Sequence, residues 1–74
     1  MKSHFFPVVI EQDQDGFFAD CPSLQGCHAQ GQTFEEVTAK LKDAIRLHIE
    51  DRNALGEEIP SPGMVSVTTL EVSA

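Results

Sequence analysis

The chain has 74 residues, with five Lys+Arg against twelve Asp+Glu, and a formal charge of −7. This length holds one domain, residues 1–74, whose core supplies only roughly 3–5 kcal/mol, so a second copy or a partner is expected to complete it. Hydrophobic residues at 41% and charged ones at 23% describe a globular chain, and a pI near 4.6 argues against direct nucleic-acid binding, which needs Lys/Arg to displace phosphate counterions.

His4 to Glu11 is rich in Phe, Val and Ile and is predicted to be a strand, with Phe6, Val8 and Ile10 on one face and Phe5, Pro7 and Val9 on the other. Gln12-Asp13-Gln14-Asp15-Gly16 ends in Asp-Gly, a hairpin signal, because glycine takes the positive φ such turns require. Phe17 to Cys21 returns as the second strand. Pro22-Ser23-Leu24-Gln25-Gly26 makes the next connection, and Cys27 to Gln30 is a short third strand closed by Gly31.

Thr33-Phe34-Glu35-Glu36 fits a capping box, with Thr33 at the N-cap and Glu36 reaching back. Phe34, Val37, Leu41, Ala44, Ile45 and His48 then recur at three- and four-residue spacing, the stripe of an amphipathic helix on a sheet. Glu36 and Lys40 form a favourable i,i+4 pair, and Gly56 is the expected stop. Glu57 to Gly63 carries Pro60 and Pro62 and cannot be helical. Met64 to Val72 is predicted to be a last strand. Its apolar residues change phase after Val67, pointing to a bulge, a strand end or two exposed faces. A right-handed crossover would set this strand beside the first. The expected fold is therefore α+β, β-β-β-α-β, with a mixed four-stranded sheet of order 3-2-1-4 and one helix on one face. Its open face and edges call for another molecule.

The charge is uneven along the chain. Thr33 to Asn53 holds four bases and five acids, whereas elsewhere Lys2 alone faces seven acids. Glu11, Asp13, Asp15 and Asp20 cluster around the first hairpin with no base among them, either a solvated turn or a candidate surface for steering a cationic partner. Catalytic and metal chemistry find little support. Asp13-Gln14-Asp15-Gly16 lacks the distal bidentate Glu of a calcium loop. Cys21, Cys27 and His28 lack zinc-hook spacing and a second ligand pair. No third partner supports Cys–His or Ser–His catalysis, and no glycine-rich phosphate loop is present. Neither enzyme activity nor a metal or cofactor is expected. No stretch reaches the ~18–20 apolar residues of a membrane span, and no signal-peptide core follows Met1. The expected location is the cytoplasm, with both cysteines reduced.

Three segments in order resemble the HicB antitoxin family: Phe6-Pro7-Val8-Val9-Ile10-Glu11, Asp15-Gly16-Phe17-Phe18-Ala19 and Cys21-Pro22-Ser23-Leu24-Gln25-Gly26-Cys27. Gly31-Gln32-Thr33-Phe34-Glu35-Glu36-Val37 and Gly56-Glu57-Glu58-Ile59-Pro60-Ser61-Pro62 continue the resemblance, which runs from about Phe5 to Pro62. Ser23, Gln25 and Val37 stand where the family usually has Asp, Pro and Ala. Gly16, Phe17, Ala19, Pro22, Leu24, Gly26, Cys27, Gly31, Thr33, Glu36 and Pro60 match the family pattern and are expected to be structural. The resemblance implies a partly RNase H-like sheet without catalysis. It also implies a partner, a HicA-like toxin: a small basic mRNA-cleaving protein with a catalytic His, which the antitoxin covers. Many members add a C-terminal DNA-binding module, and the twelve residues after Pro62 are too few for one, so operator binding by this chain alone is not expected. Two other readings stand beside the antitoxin: an orphan oligomeric regulator or scaffold with no toxin, and a degenerate RNase H-like nuclease.

Overall fold

The computed structural model describes residues 3–61 and 63–74; Lys2 and Pro62, which the sequence reading used, lie outside them. Among the described residues, three strands precede one helix: β1 (Val9–Asp13), β2 (Gly16–Asp20), β3 (His28–Gly31) and α1 (Phe34–Ala54). The strands form an antiparallel meander of order β1-β2-β3, and α1 packs across β2 and β3 on one face. The α+β class and the strand–strand–strand–helix order agree with the sequence.

The first strand is shorter than predicted. Val9 pairs with Asp20, the last residue of β2, after which the Cys21 N–H donates to the Cys27 carbonyl at 3.0 Å and the chain turns away. Residues 4–8 have no opposing strand, and Pro7 has no N–H to offer one. The β1–β2 hairpin closes through Gln14 and Asp15, with the Asp15 N–H donating to Asp13 Oδ1 at 2.8 Å. The positive φ sits one residue later, on Gly16 at the start of β2 (φ 138°). A Cβ there would lie 2.7 Å from the Gly31 carbonyl oxygen, so neighbouring β3 also requires glycine.

The core is small: Ala19, Cys21, Leu24, Cys27, Val37 and Leu41 are buried, flanked by Phe6, Ile10, Phe17, Ala29, Ala44 and Ile45. Within the 21–27 connection, the Leu24 N–H donates to the Cys21 carbonyl and the Cys27 N–H to the Leu24 carbonyl, so the loop closes over its own leucine. Burial pushes both the Cys21 and Cys27 thiols up from their ordinary pKa.

Helix α1 starts and stops where its sequence signals stand. The Glu36 N–H donates to Thr33 Oγ1 at 3.0 Å, and the Glu36 carboxylate meets Lys40 Nζ at 3.1 Å. The hydrogen bond from Lys40, helped by the Gln32 backbone, holds the exposed Glu36 carboxyl below its usual range. At the other end, the Glu57 N–H donates to the Arg52 carbonyl and the Gly56 N–H to the Asn53 carbonyl, the paired bonds of a Schellman stop. Of the predicted stripe, Val37 and Leu41 are buried and Ala44, Ile45 and His48 half-buried. Phe34 is half exposed and meets the Phe17 ring edge-on, with centroids 6.5 Å apart.

The predicted fourth strand does not form. Residues 63–74 carry no regular secondary structure and are exposed, so the described sheet has three strands and is antiparallel throughout rather than mixed. The chain leaves α1 through Pro60, where a proline fixes φ and removes a donor, and does not bring the segment back beside the free edge of β1.

Candidate partner-binding face

The period-two alternation of a strand sorts the sheet residues into two sets. Ile10, Phe17, Ala19 and Ala29 point towards α1 and pack on the core. Val9, Glu11, Phe18, Asp20, His28 and Gln30 take the opposite face, which no described element covers, and they line a shallow depression of about 610 Å3. The register arranges them in rows: Val9, Asp20 and His28 lie side by side, and next to them Glu11, Phe18 and Gln30. A half-buried phenylalanine thus sits on a bare sheet face with Glu11 beside it and Asp20 two residues along its own strand.

The four acids of the predicted steering cluster are divided by this geometry. Glu11 and Asp20 line the depression, whereas Asp13 and Asp15 stand at the hairpin tip, tied together by the turn hydrogen bond. All four are exposed. No Lys or Arg occurs between residues 3 and 33, so the sheet layer carries −4 formally. Lys40, Lys42, Arg46 and Arg52 all belong to α1 in the other layer. Lys40 pairs with Glu36, and Arg46 pairs with Asp43 at 3.2 Å. The uneven charge along the sequence therefore becomes a difference between the two faces of the fold. Such a face can attract a cationic surface and offer it an apolar contact at the centre.

The motif residues are distributed around this face rather than on it. Gly16, Phe17, Ala19, Gly31, Thr33 and Glu36 shape the hairpin, the helix-side packing and the α1 cap. Leu24 and Cys27 fill the core beneath the 21–27 loop, and Pro22 and Gly26 form its exposed shoulders. Pro60 is half-buried beyond the helix stop. Phe18, His28 and Gln30 were missed by sequence reasoning. The signal was the alternation itself, because Phe18 has the opposite parity to the core residues Phe17 and Ala19. Among the described residues, no three His, Cys, Asp or Glu side chains are arranged to hold a metal ion. No described helix is long and apolar enough to cross a membrane.

The HicB-like antitoxin family of bacterial toxin–antitoxin systems matches residues 6–72. The chain belongs to that family. A UPF0150 protein of Synechocystis sp. is 39% identical over 61 residues, covering 81% of this chain and 77% of the relative. Another UPF0150 protein, from Thermoplasma acidophilum, is 36% identical over 64 residues, covering 85% and 93%. Among solved structures, a chain of a HicA3 and HicB3 toxin–antitoxin complex superposes with a TM-score of 0.64 at 30% identity, covering 81% of this chain and 70% of that one. The ordered motifs of the sequence and the fold of this HicB-like protein thus point to the same family.

Proposed function

We propose that this HicB-like protein is the antitoxin of a type II toxin–antitoxin pair, and that its bare sheet face binds and neutralises a HicA-like mRNA interferase. The observation that carries the proposal is the row arrangement on that face: Phe18 between Glu11 and Gln30, Asp20 between Val9 and His28, and no Lys or Arg in the sheet layer. A protein that cleaves RNA must present a cationic surface to phosphates, and an anionic protein face competes for the same surface. Glu11, Asp13, Asp15 and Asp20 bring the toxin in, and Phe18 supplies the desolvated centre of the contact.

In this reading residues 1–74 act as one HicB-like domain in the cytoplasm, where Cys21 and Cys27 stay reduced. The β-β-β-α order is a shortened RNase H-like layer without catalysis, and the functional state is a homo-oligomer, since so small a core gains from a second copy. Purified protein is expected to leave RNA intact in Mg²⁺.

The test is co-purification of the chain from its native cell with mass identification of any small basic protein retained, followed by titration of the complex. Wild type is expected to bind and to restore growth under toxin expression. Phe18→Ser with Asp20→Lys is expected to weaken binding at least tenfold, a loss of about 1.4 kcal/mol, while the circular dichroism stays unchanged. Absence of a complex with the wild-type protein would overturn the antitoxin reading in favour of an orphan oligomer. Mg²⁺-dependent RNA cleavage would favour the nuclease.

A further inference from the structure

The folded chain leaves far more surface exposed than its size warrants. It exposes 6090 Å2 at a mass of 8.1 kDa, where a compact chain of that mass exposes about 4,500 Å2. Its radius of gyration is 14.4 Å with a longest extent of 48 Å, against about 11 Å for a compact chain of this length. Much of the surplus is apolar and lies in the last segment. Met64 is 93% exposed, Val67 86%, Leu70 78% and Val72 80%. The segment is rich in β-branched residues, is unpaired, and follows a proline-containing connection.

A matching opening lies at the edge of the sheet. β1 is an edge strand, and α1 packs across β2 and β3 but not across β1. Between β1, its lead-in and α1 runs an apolar groove of about 290 Å3, lined by Phe5, Val8, Ile10, Leu41 and Ile45. Phe5 is 83% exposed there. An open edge next to an apolar groove presents unpaired backbone groups and side-chain sockets together, which is what an added strand needs.

We infer that residues 64–72 of one copy add as a strand along the free edge of β1 in a second copy and cover its Phe5–Ile10 groove, giving a reciprocally exchanged dimer. The surplus surface of about 1,600 Å2 per chain exceeds the ~800 Å2 per partner that a standard interface buries, so the exchange has area enough. Within its own chain the segment is not seated on this edge, so the edge of β1 is left for a second copy to take. The order predicted from the sequence, with a fourth strand beside the first, is then recovered with the fourth strand supplied by the partner copy. The inference rests on the homo-oligomeric part of the proposed function and is independent of toxin binding.

Sedimentation analysis of the full chain is expected to give twice the chain mass across a dilution series. Isotope-filtered NMR on a mixture of labelled and unlabelled protein is expected to show intermolecular contacts from the Val67 and Leu70 methyls to Phe5, Val8 and Ile10. Val67→Asp with Leu70→Asp, at positions exposed in the single chain, is expected to yield a monomer with unchanged helical signal. A monomeric wild type, tail contacts only within one chain, or a dimer indifferent to the double substitution would each overturn the exchange. None of these measurements involves a toxin, so they stand or fall separately from the antitoxin reading.

Discussion

Gly31 shows how one residue couples the two layers. It is the last residue of β3 and is buried, and a Cβ built on it would lie 2.9 Å from the Val37 backbone nitrogen and 3.2 Å from Val37 Cα. Both neighbours belong to the first turn of α1, where the Val37 N–H is fixed by the Thr33 carbonyl at 3.0 Å, so they cannot move aside without breaking the cap. The glycine of the Gly31-Gln32-Thr33 motif is required by the approach of helix to sheet. Its own carbonyl in turn crowds Gly16, which binds the hairpin to the same constraint. Gly31→Ala is expected to cost about 1–3 kcal/mol, as overpacking against backbone does. In a domain of this size, whose core rarely supplies more than roughly 3–5 kcal/mol, this is a large share of the whole. A urea titration followed by circular dichroism checks it; an unchanged midpoint would mean that α1 can shift away from β3 at no cost.

At the scale of elements, the sequence was most legible where local chemistry alone decides the outcome. Thr33, Lys40 and Gly56 act on α1 through contacts within a few residues, and those contacts appear at the predicted positions, whereas the Glu36 carboxylate reaches back to the Gln32 backbone rather than to Thr33. The hairpin was legible from Asp15-Gly16, although the positive φ falls in the strand rather than in the turn. Two things were not legible. The length of β1 depends on where β2 ends, which is set by the Cys21–Cys27 backbone hydrogen bond across a six-residue separation. The state of residues 64–72 depends on whether a neighbour presents an edge, which no local pattern encodes. The candidate face was half legible: its acids stood out by composition, whereas Phe18 and His28 needed a known register. The 21–27 connection carries its own prediction. Both thiols are pushed up by burial, so each stays protonated in the folded protein when its unfolded counterpart ionises near pH 8.5. The folded state then binds more protons than the unfolded one, so stability is fully present below that pH and is lost as pH rises beyond it. The urea midpoint is expected to fall as pH rises above about 8.5. The fall is expected to flatten in a Cys21→Ala, Cys27→Ala variant measured against its own neutral-pH value. An equal decline in both proteins would assign the alkaline loss to other groups.

Across the whole molecule, the decisive property is that charge is sorted by layer. The sheet layer, from residue 3 to residue 33, has four carboxylates and no Lys or Arg, while α1 carries both signs. A partner approaching the bare sheet face therefore meets a field of one sign, and a partner approaching the helix meets pairs that largely cancel at a distance, such as Glu36–Lys40 and Asp43–Arg46. Steering of this kind acts on the association rate, whereas buried contacts act on dissociation. Screening shortens its reach from about 10 Å at 0.1 M salt to about 3 Å at 1 M. With the toxin of the proposed pair, the association rate is expected to drop steeply with salt while the dissociation rate changes little. Asp13→Asn with Asp15→Asn is expected to slow association several-fold at low salt and to flatten the salt dependence. The Asp13→Asn change keeps a side-chain oxygen that can accept the turn hydrogen bond from the backbone N–H of residue 15, so the hairpin itself is preserved. Glu50→Gln with Asp51→Asn removes the same charge from α1 and is expected to change the rate much less. Equal effects of the two double substitutions would show that net charge alone drives the encounter. A salt-independent rate, unaffected by either, would remove the electrostatic role of the hairpin and leave Phe18 and the apolar centre of the face to account for binding.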